Sequence, residues 1–437
     1  MRSFFQFLTR RKLFVPQPVQ QQPFRRIMNN ATSTSALLYA ATVSLPATQG
    51  ARPDDELTKT KAWHAPNGRF ENVYESWNHQ SPWKILGGML KRRLQGKSNT
   101  PDTTPPTVPV RKPTFLPSRE QNDKIRATWL GHACYYVEFP SGLRVLFDPV
   151  FTDRCSPFSF LGPKRYTEMP CQIADIPIID AVIISHNHYD HLSHPTVKEI
   201  SSRFPNAQFI VPLGNKKWFA DCGITQCIEL DWWDEIDLTL TPKPANPNDS
   251  KPEISEPEST KPSDDAITAR IGCLPCQHIS NRGLFDRGAT LWSSWSVISG
   301  KTDPKSVYFG GDTGYRAVPE ESEGKDDWSE EYAHLPFNKD FQAIGKHRGP
   351  FDLGLIPIGA YMPRWIMSPM HANPRDAVEI FRDTKCKRAL GIHWGTWVLT
   401  EEDVLEPPRL LKKALTHHDI PEEGVFDVCD IGESREI

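Results

Sequence analysis

No stretch of this 437-residue chain is apolar for long enough to cross a bilayer. The nearest candidate, Ala36 through Leu45, is about half the ~20 residues that a spanning helix needs. An excess of one charge is missing as well. Lys and Arg number 51 against 54 Asp and Glu, a net charge of −3, so no global basic field points to a nucleic-acid partner. The nine cysteines are scattered and odd in number, which fits reduced thiols better than a secreted disulfide framework. Cys273-x-x-Cys276 has no second CxxC to complete a zinc knuckle. A packing role at a strand end therefore outweighs a metal or redox one.

Acidic residues are absent before Asp54. Residues 1–50 instead carry Arg2, Arg10, Arg11, Lys12, Arg25 and Arg26, with Phe4, Phe7, Leu8 and Phe14 near helical spacing. An Arg-rich, Ser/Thr-containing, acid-free segment reads as a mitochondrial targeting sequence, the alternative being a basic arm without fixed structure. Residues 51–124 form an N-terminal extension ahead of the main domain, 125–437. Within the extension, Trp83, Leu86, Leu90 and Leu94 make an apolar helical stripe with Lys84, Lys91 and Arg92 on other sides. Such a helix either lies in a lipid headgroup interface or packs on the domain. Its Gly87-Gly88 pair weakens it. Pro and Thr over 98–118 predict an extended linker. The insert at about 241–268 carries six prolines between 241 and 265 among polar residues, and is expected to be a disordered surface loop.

The main domain alternates short β-rich runs with helical ones. Strands are expected at 124–129, 135–139, 143–147, 181–185, 208–211, 269–274, 291–299, 306–309, 351–357 and 389–392. Helices are expected at 195–203, 216–222, 374–385 and 408–417, the third capped by Asn373 with Pro374 at its first position. Helices flanking two sheets give a layered α/β sandwich.

The chemistry is concentrated at His186-Asn187-His188-Tyr189-Asp190-His191, which follows the apolar run Ala181-Val182-Ile183-Ile184. Three imidazoles and a carboxylate in six residues are improbable as packing, because such groups are seldom buried without partners. A borderline cation such as Zn²⁺ accepts both donor types. Side chains at i and i+2 of an extended segment share a face, so His186 and His188 can grip one ion while Asp190 and His191 turn toward a second. Three further candidates stand after probable strands: His278, Asp312 in Gly310-Gly311-Asp312-Thr313-Gly314, and His393. His278 would complete the first ion, His393 the second, and Asp312 would bridge them.

These motifs resemble the metallo-β-lactamase superfamily. Together with Thr128–Ala133, Gly162–Tyr166, Glu229–Trp233, Leu291–Val297, Gly311–Tyr315, Ile356–Tyr361 and Ile392–Thr396 they resemble, more narrowly, the N-acylphosphatidylethanolamine-hydrolysing phospholipase D family. The resemblance covers roughly residues 125–435. It implies a four-layer αββα sandwich with its site at the strand ends. It also implies two Zn²⁺ ions, with iron or a mixed pair as alternatives, and cleavage of the headgroup-side phosphodiester to N-acylethanolamine and phosphatidic acid. Two cations roughly 3.5–4 Å apart activate a bridging water for in-line attack on phosphorus. The resemblance gives His371 a functional role, in contact with the substrate phosphate or the leaving oxygen. Its neighbour Met370 stands where family members often carry Gln.

Asp148 orients a ligand from behind or makes an Asx turn; His132 and His194 are expected to hydrogen-bond beside the site rather than ligate. The expected partners are a phospholipid and a membrane surface bound peripherally, with a homodimer compatible with the chain and no nucleic acid. Other activities on this scaffold (phosphodiesterase, nuclease or lactonase) share the metal site. A membrane-bound scaffold with a relic site would be expected to have lost a ligand, and all seven candidates are present.

Overall fold

A computed structural model of the chain describes residues 39–79, 81–119, 123–243 and 265–437. Residues 1–38 of the expected targeting segment and 244–264 of the expected insert lie outside the described residues.

Ala181-Val182-Ile183-Ile184 shows how the sequence builds the layers. Ala181 and Ile183 point into one hydrophobic core while Val182 and Ile184 point into another. A strand buried on both faces reads as a continuous apolar run rather than an alternating one. This is β5 (Ala181–Ile183), in the middle of a seven-stranded sheet. Its neighbours are β4 (Arg144–Phe147) and β6 (Gln208–Pro212), both parallel to it, with β7 (Cys227–Leu230) beyond β6. Antiparallel β3 (Cys134–Glu138), β2 (Arg126–Gly131) and β15 (Ser434–Glu436) continue from β4.

The second sheet has eight strands in the order β1 (Tyr39–Ser44), β8 (Glu235–Pro242), β9 (Ile267–Leu274), β10 (Ser294–Ser299), β11 (Lys305–Phe309), β12 (Phe351–Pro357), β13 (Cys386–Ile392), β14 (Phe426–Asp427). It is antiparallel as far as β11 and parallel from there on. The sheets face one another across the larger core, where the Phe147 and Phe309 rings lie 4.7 Å apart. Helices α3 (His194–Arg203) and α4 (Lys216–Asp221) cover the outer face of the first sheet through Val197, Ile200 and Phe219. Helices α5 (Asp340–His347), α7 (Pro374–Asp383) and α8 (Glu406–His417) cover the second through Phe341, Ile380 and Leu411. The result is an αββα sandwich. Helix α7 begins with the expected cap: Asn373 accepts from Asp376 N–H at 2.9 Å, and Asp376 accepts in return from Asn373 N–H at 3.0 Å.

Within the expected 1–50 segment, Tyr39–Ser44 form β1, which pairs with β8 along its whole length. The extension is equally attached. Lys61 Nζ, Trp63 Nε1 and His64 Nε2 all reach the Asp231 carboxylate at 2.8 Å, and Trp63 packs on Trp232 with ring centroids 4.9 Å apart. Burial would raise the Asp231 pKa, but Lys61 and Trp63 outweigh it and hold the carboxyl below its ordinary range. Residues 98–118 are extended as expected yet adhere to the domain: Val108 is buried, and Arg111 N–H donates to Ile431 C=O at 2.7 Å.

Helix α2 (Pro82–Leu94) sits on the domain with its apolar stripe outward. Trp83, Leu86, Leu90 and Leu94 are 81, 61, 56 and 80% exposed. The inner face holds Arg92, buried and paired with Glu323 and Glu401. Gly88 permits the close contact, because a Cβ there would stand 2.3 Å from the Trp365 ring. Among the described residues, no helix is long and apolar enough to span a membrane.

Candidate metal centre

Every expected ligand lies just beyond the C-terminal end of a strand, at one edge of the sandwich. The segment 186–192 follows β5, His278 follows β9, Asp312 follows β11, His371 lies in the connection after β12, and His393 follows β13. The turn carrying Asp312 depends on Gly311, whose φ is +57° and whose absent Cβ would stand 2.5 Å from Ser185 Cβ.

The structure brings all seven expected ligands together. Donor atoms of His186, His188, His278 and Asp312 form one group, and those of Asp190, His191 and His393 form a second that also includes His132. Asp312 lies between them. Its Oδ2 is 2.9 Å from His393 Nε2, 3.1 Å from His191 Nε2, 3.7 Å from His278 Nε2 and 3.8 Å from His186 Nε2. His371 Nδ1 is also 3.8 Å from that oxygen, while its ring stacks on His393 at 5.2 Å. His194 is outside the cluster, exposed at the start of α3 with its ring edge-on to Trp218.

The outer hydrogen bonds fix which ring nitrogens turn inward. Asp148 accepts from Ser185 N–H at 2.7 Å, from Ser185 Oγ–H at 2.5 Å and from His191 Nδ1–H at 2.6 Å. It therefore orients a site residue, as one of its two expected readings had it. With its hydrogen given to Asp148, Ser185 Oγ accepts from His186 Nδ1–H at 2.9 Å. His278 Nδ1–H donates to Met370 C=O at 2.9 Å, and His188 Nε2–H to Asn281 Oδ1 at 3.0 Å. The remaining nitrogens (His186 Nε2, His188 Nδ1, His278 Nε2, His191 Nε2) are left as bare lone pairs facing carboxylate oxygen and each other. His186 Nε2 and His188 Nδ1 are only 2.8 Å apart.

Lone pairs so crowded repel unless cations lie among them. Three of the buried atoms, His191 Nε2, His393 Nε2 and Asp312 Oδ1, make no hydrogen bond at all. Neutral imidazoles, two carboxylates and orienting partners behind them are what a divalent cation takes. The carboxylates favour positive charge on the rings nearest to them, His191 and His393. Burial opposes charge on His393, yet Asp312 and Asp190 outweigh it and raise its pKa to about 9. Burial likewise would raise Asp312, but His191 and His393 hold it well below the carboxylate range. His186 goes the other way, pushed well below its ordinary value by burial and three neighbouring imidazoles. Burial also drives His371 down to about 3.

Exposed large apolar side chains among the described residues are few, and half of them lie on loops leaving the same strand ends. Phe158, Phe160 and Leu161 follow β4, Leu284 and Phe285 follow β9, and Leu399 follows β13. The α2 stripe joins them, because α2 rests on Trp365 and Glu401 in the loops after β12 and β13. A cavity of about 610 Å³ opens beside the turn at 186–192, lined by Phe158, Tyr189, Trp218 and Arg282 among others. Arg282 clamps that turn, donating to the carbonyls of Asn187 and Leu192 at 2.8 Å and lying 3.9 Å over the Tyr189 ring.

Residues 143–394 match the family model of the beta-lactamase superfamily domain. A sandwich so equipped is a metal-dependent hydrolase. N-acyl-phosphatidylethanolamine-hydrolyzing phospholipase D 1 of Caenorhabditis elegans is 37% identical to it over 313 residues, covering 70% of this chain and 74% of that one. The Saccharomyces cerevisiae protein named N-acyl-phosphatidylethanolamine-hydrolyzing phospholipase D, mitochondrial, is 30% identical over 380 residues, 79% of this chain and 71% of that one. The chain belongs to the beta-lactamase superfamily and, within it, to the N-acylphosphatidylethanolamine-hydrolysing phospholipase D family.

Proposed function

We propose that this protein is a zinc-dependent phospholipase D that hydrolyses N-acylphosphatidylethanolamine to N-acylethanolamine and phosphatidic acid. The observation that carries the reading is the set of inward lone pairs around Asp312, in a chain whose relatives are named for this reaction. His186, His188 and His278 would hold one cation, Asp190, His191 and His393 a second, with Asp312 shared. A pair of divalent cations supplies an acidified water and neutralises charge on the phosphoryl oxygens. The chain's own groups do the rest. Asp148, Ser185 and Met370 C=O keep the inward nitrogens bare. His371, beside Asp312 but with its Nδ1 unpartnered, would donate to a phosphate oxygen or to the leaving oxygen.

The substrate's chains keep it in a bilayer, so the centre must be presented at a membrane surface. The exposed α2 stripe and the apolar loops at the same edge fit such a surface, with Lys84 and Arg93 available to anionic headgroups. The 610 Å³ cavity beside Tyr189 offers room for part of an acyl chain. The acid-free amino terminus favours a mitochondrial address, the location printed in the yeast relative's name. A reporter carrying residues 1 to about 50 should enter mitochondria; one that stays cytosolic or enters the secretory route removes that address.

The reaction is tested by turnover of defined N-acylated and non-acylated phosphatidylethanolamines in vesicles. Phosphatidic acid with N-acylethanolamine is the expected product pair. A diacylglycerol or lysophospholipid product would refute the headgroup-side cleavage.

A further inference from the structure

We infer that His132 is a positioning residue for the second cation, fixing the carboxylate of Asp190; this rests on the two-cation reading above. His132 occupies the turn between β2 and β3, on the opposite sheet from His393, with its backbone in the left-handed region at φ +52°. Three hydrogen bonds hold that backbone. Its N–H donates to Thr396 Oγ1 at 2.7 Å, and its C=O accepts from Trp129 Nε1–H at 2.8 Å and from His393 N–H at 3.0 Å. The ring packs 4.1 Å from that of His393 and meets Trp397 edge-on at 4.9 Å.

The buried side chain then has one polar contact, His132 Nε2 to Asp190 Oδ2 at 3.0 Å. Its Nδ1 has no acceptor, whereas His186, His188, His191 and His278 each give their outer hydrogen to one, so the ring's single hydrogen finds a partner only on Nε2, where it donates to the ionised Asp190. The same Asp190 oxygen lies 3.4 Å from His191 Nε2 and 3.5 Å from His393 Nε2. His132 thus sets where this oxygen stands relative to the two imidazoles that share its cation. Through its carbonyl it also holds the backbone of one of them. A nitrogen engaged in donating cannot at the same time offer its lone pair to a metal, which makes His132 a support and not a fourth ligand.

Two substitutions separate the roles. His132→Phe keeps the ring packing against His393 and Trp397 but removes the donor; His132→Gln keeps an N–H donor and removes the imidazole. Full-length protein is equilibrated with graded free Zn²⁺, bound metal is counted by elemental mass spectrometry, and melting of the zinc-free proteins reports folding. His132→Phe should hold the first ion at wild-type affinity and need about 10–100-fold more free zinc for the second, the usual cost of losing such a partner. His132→Gln should hold both ions within a few-fold of wild type. Loss of the second ion by both variants would make the imidazole itself a ligand and overturn the inference, as would two ions held normally by His132→Phe. If His132→Phe fails to fold, His132→Gln alone decides: retention of both ions supports donation, and loss of the second overturns it. Wild-type protein that binds no zinc would overturn the two-cation reading along with this one.

Discussion

Replacing Leu86 and Leu90 together by Glu tests the membrane surface where the structure is most explicit. Both side chains project from the outer face of α2, 61 and 56% exposed, while Arg92 and Gly88 fasten the inner face. Folding should therefore barely notice: exposed substitutions usually stay within about 0.5 kcal/mol, and a like-charge i,i+4 pair costs a few tenths more. Lipid binding should notice strongly. Burying a Leu side chain completely is worth ~1.5–3 kcal/mol, and somewhat more than half of each is still open to be buried, or ~1–2 kcal/mol apiece. Two carboxylates facing anionic headgroups remove roughly another 1 kcal/mol each. The total, about 4–6 kcal/mol, is roughly a thousandfold or more in vesicle affinity. Sedimentation with vesicles containing anionic phospholipid measures this, beside hydrolysis of bilayer substrate and of a soluble phosphodiester. The first two should collapse and the third persist. Wild-type binding should also weaken at high salt without vanishing. Normal vesicle binding by the double variant would refute the assignment of this face to lipid. Loss of all three activities with a lowered Tm would refute the claim that the stripe is free of the fold.

Three other perturbations bear on the centre and its surroundings. Asp312→Asn should lower turnover by more than ~100-fold and release bound metal, since a neutral amide cannot bridge two cations; full turnover would end the two-cation model. His371→Ala should reduce kcat by ~10²–10⁴-fold with both ions retained in metal analysis, and loss of metal would place it among the ligands instead. Burial raises Asp340 from 3.8 to about 6 despite the hydrogen bond from Tyr74. Its cost to stability is therefore present above pH 6 and fades as the pH falls toward 4. Asp340→Asn should raise Tm at pH 7.5, by at most the ~3 kcal/mol equivalent of two pK units, and show no advantage near pH 4. An equal shift at both pH values would contradict it.

The strands that were legible are those buried on both faces or placed before a turn, where apolar runs of β-branched residues leave little choice. β8 shows why others were not. Ile236, Leu238 and Leu240 alternate inward against Asp237, Thr239 and Thr241, a clear period of two. The run leads directly into the Pro-rich insert, whose composition masks it. β1 has no such pattern: partly buried along most of its length, it is a strand because β8, some two hundred residues away, offers it an edge. β15, Ser434-Arg435-Glu436, has no apolar residue at all and depends on pairing with β2. Non-local hydrogen bonding makes these elements, and propensity says little about it.

The centre divides along a similar line. A cation restricts its ligands to a few side chains, so the candidate ligands His186, His188, Asp190, His191, His278, Asp312 and His393 advertise themselves by residue type at strand ends. The groups that aim those ligands are under no such restriction. His278 is oriented by a peptide carbonyl, that of Met370, which any residue would supply. His186 is oriented by the Ser185 hydroxyl, which is committed only because Asp148 takes its hydrogen. Met370 in place of Gln therefore leaves the hold on His278 intact, since the backbone oxygen and not the side chain accepts. His132 is the intermediate case, a residue type capable of ligation used as a donor. Its partner Asp190 is 58 positions away on another loop. Only the three-dimensional meeting of the β2–β3 turn with the loops after β5 and β13 distinguishes the two uses.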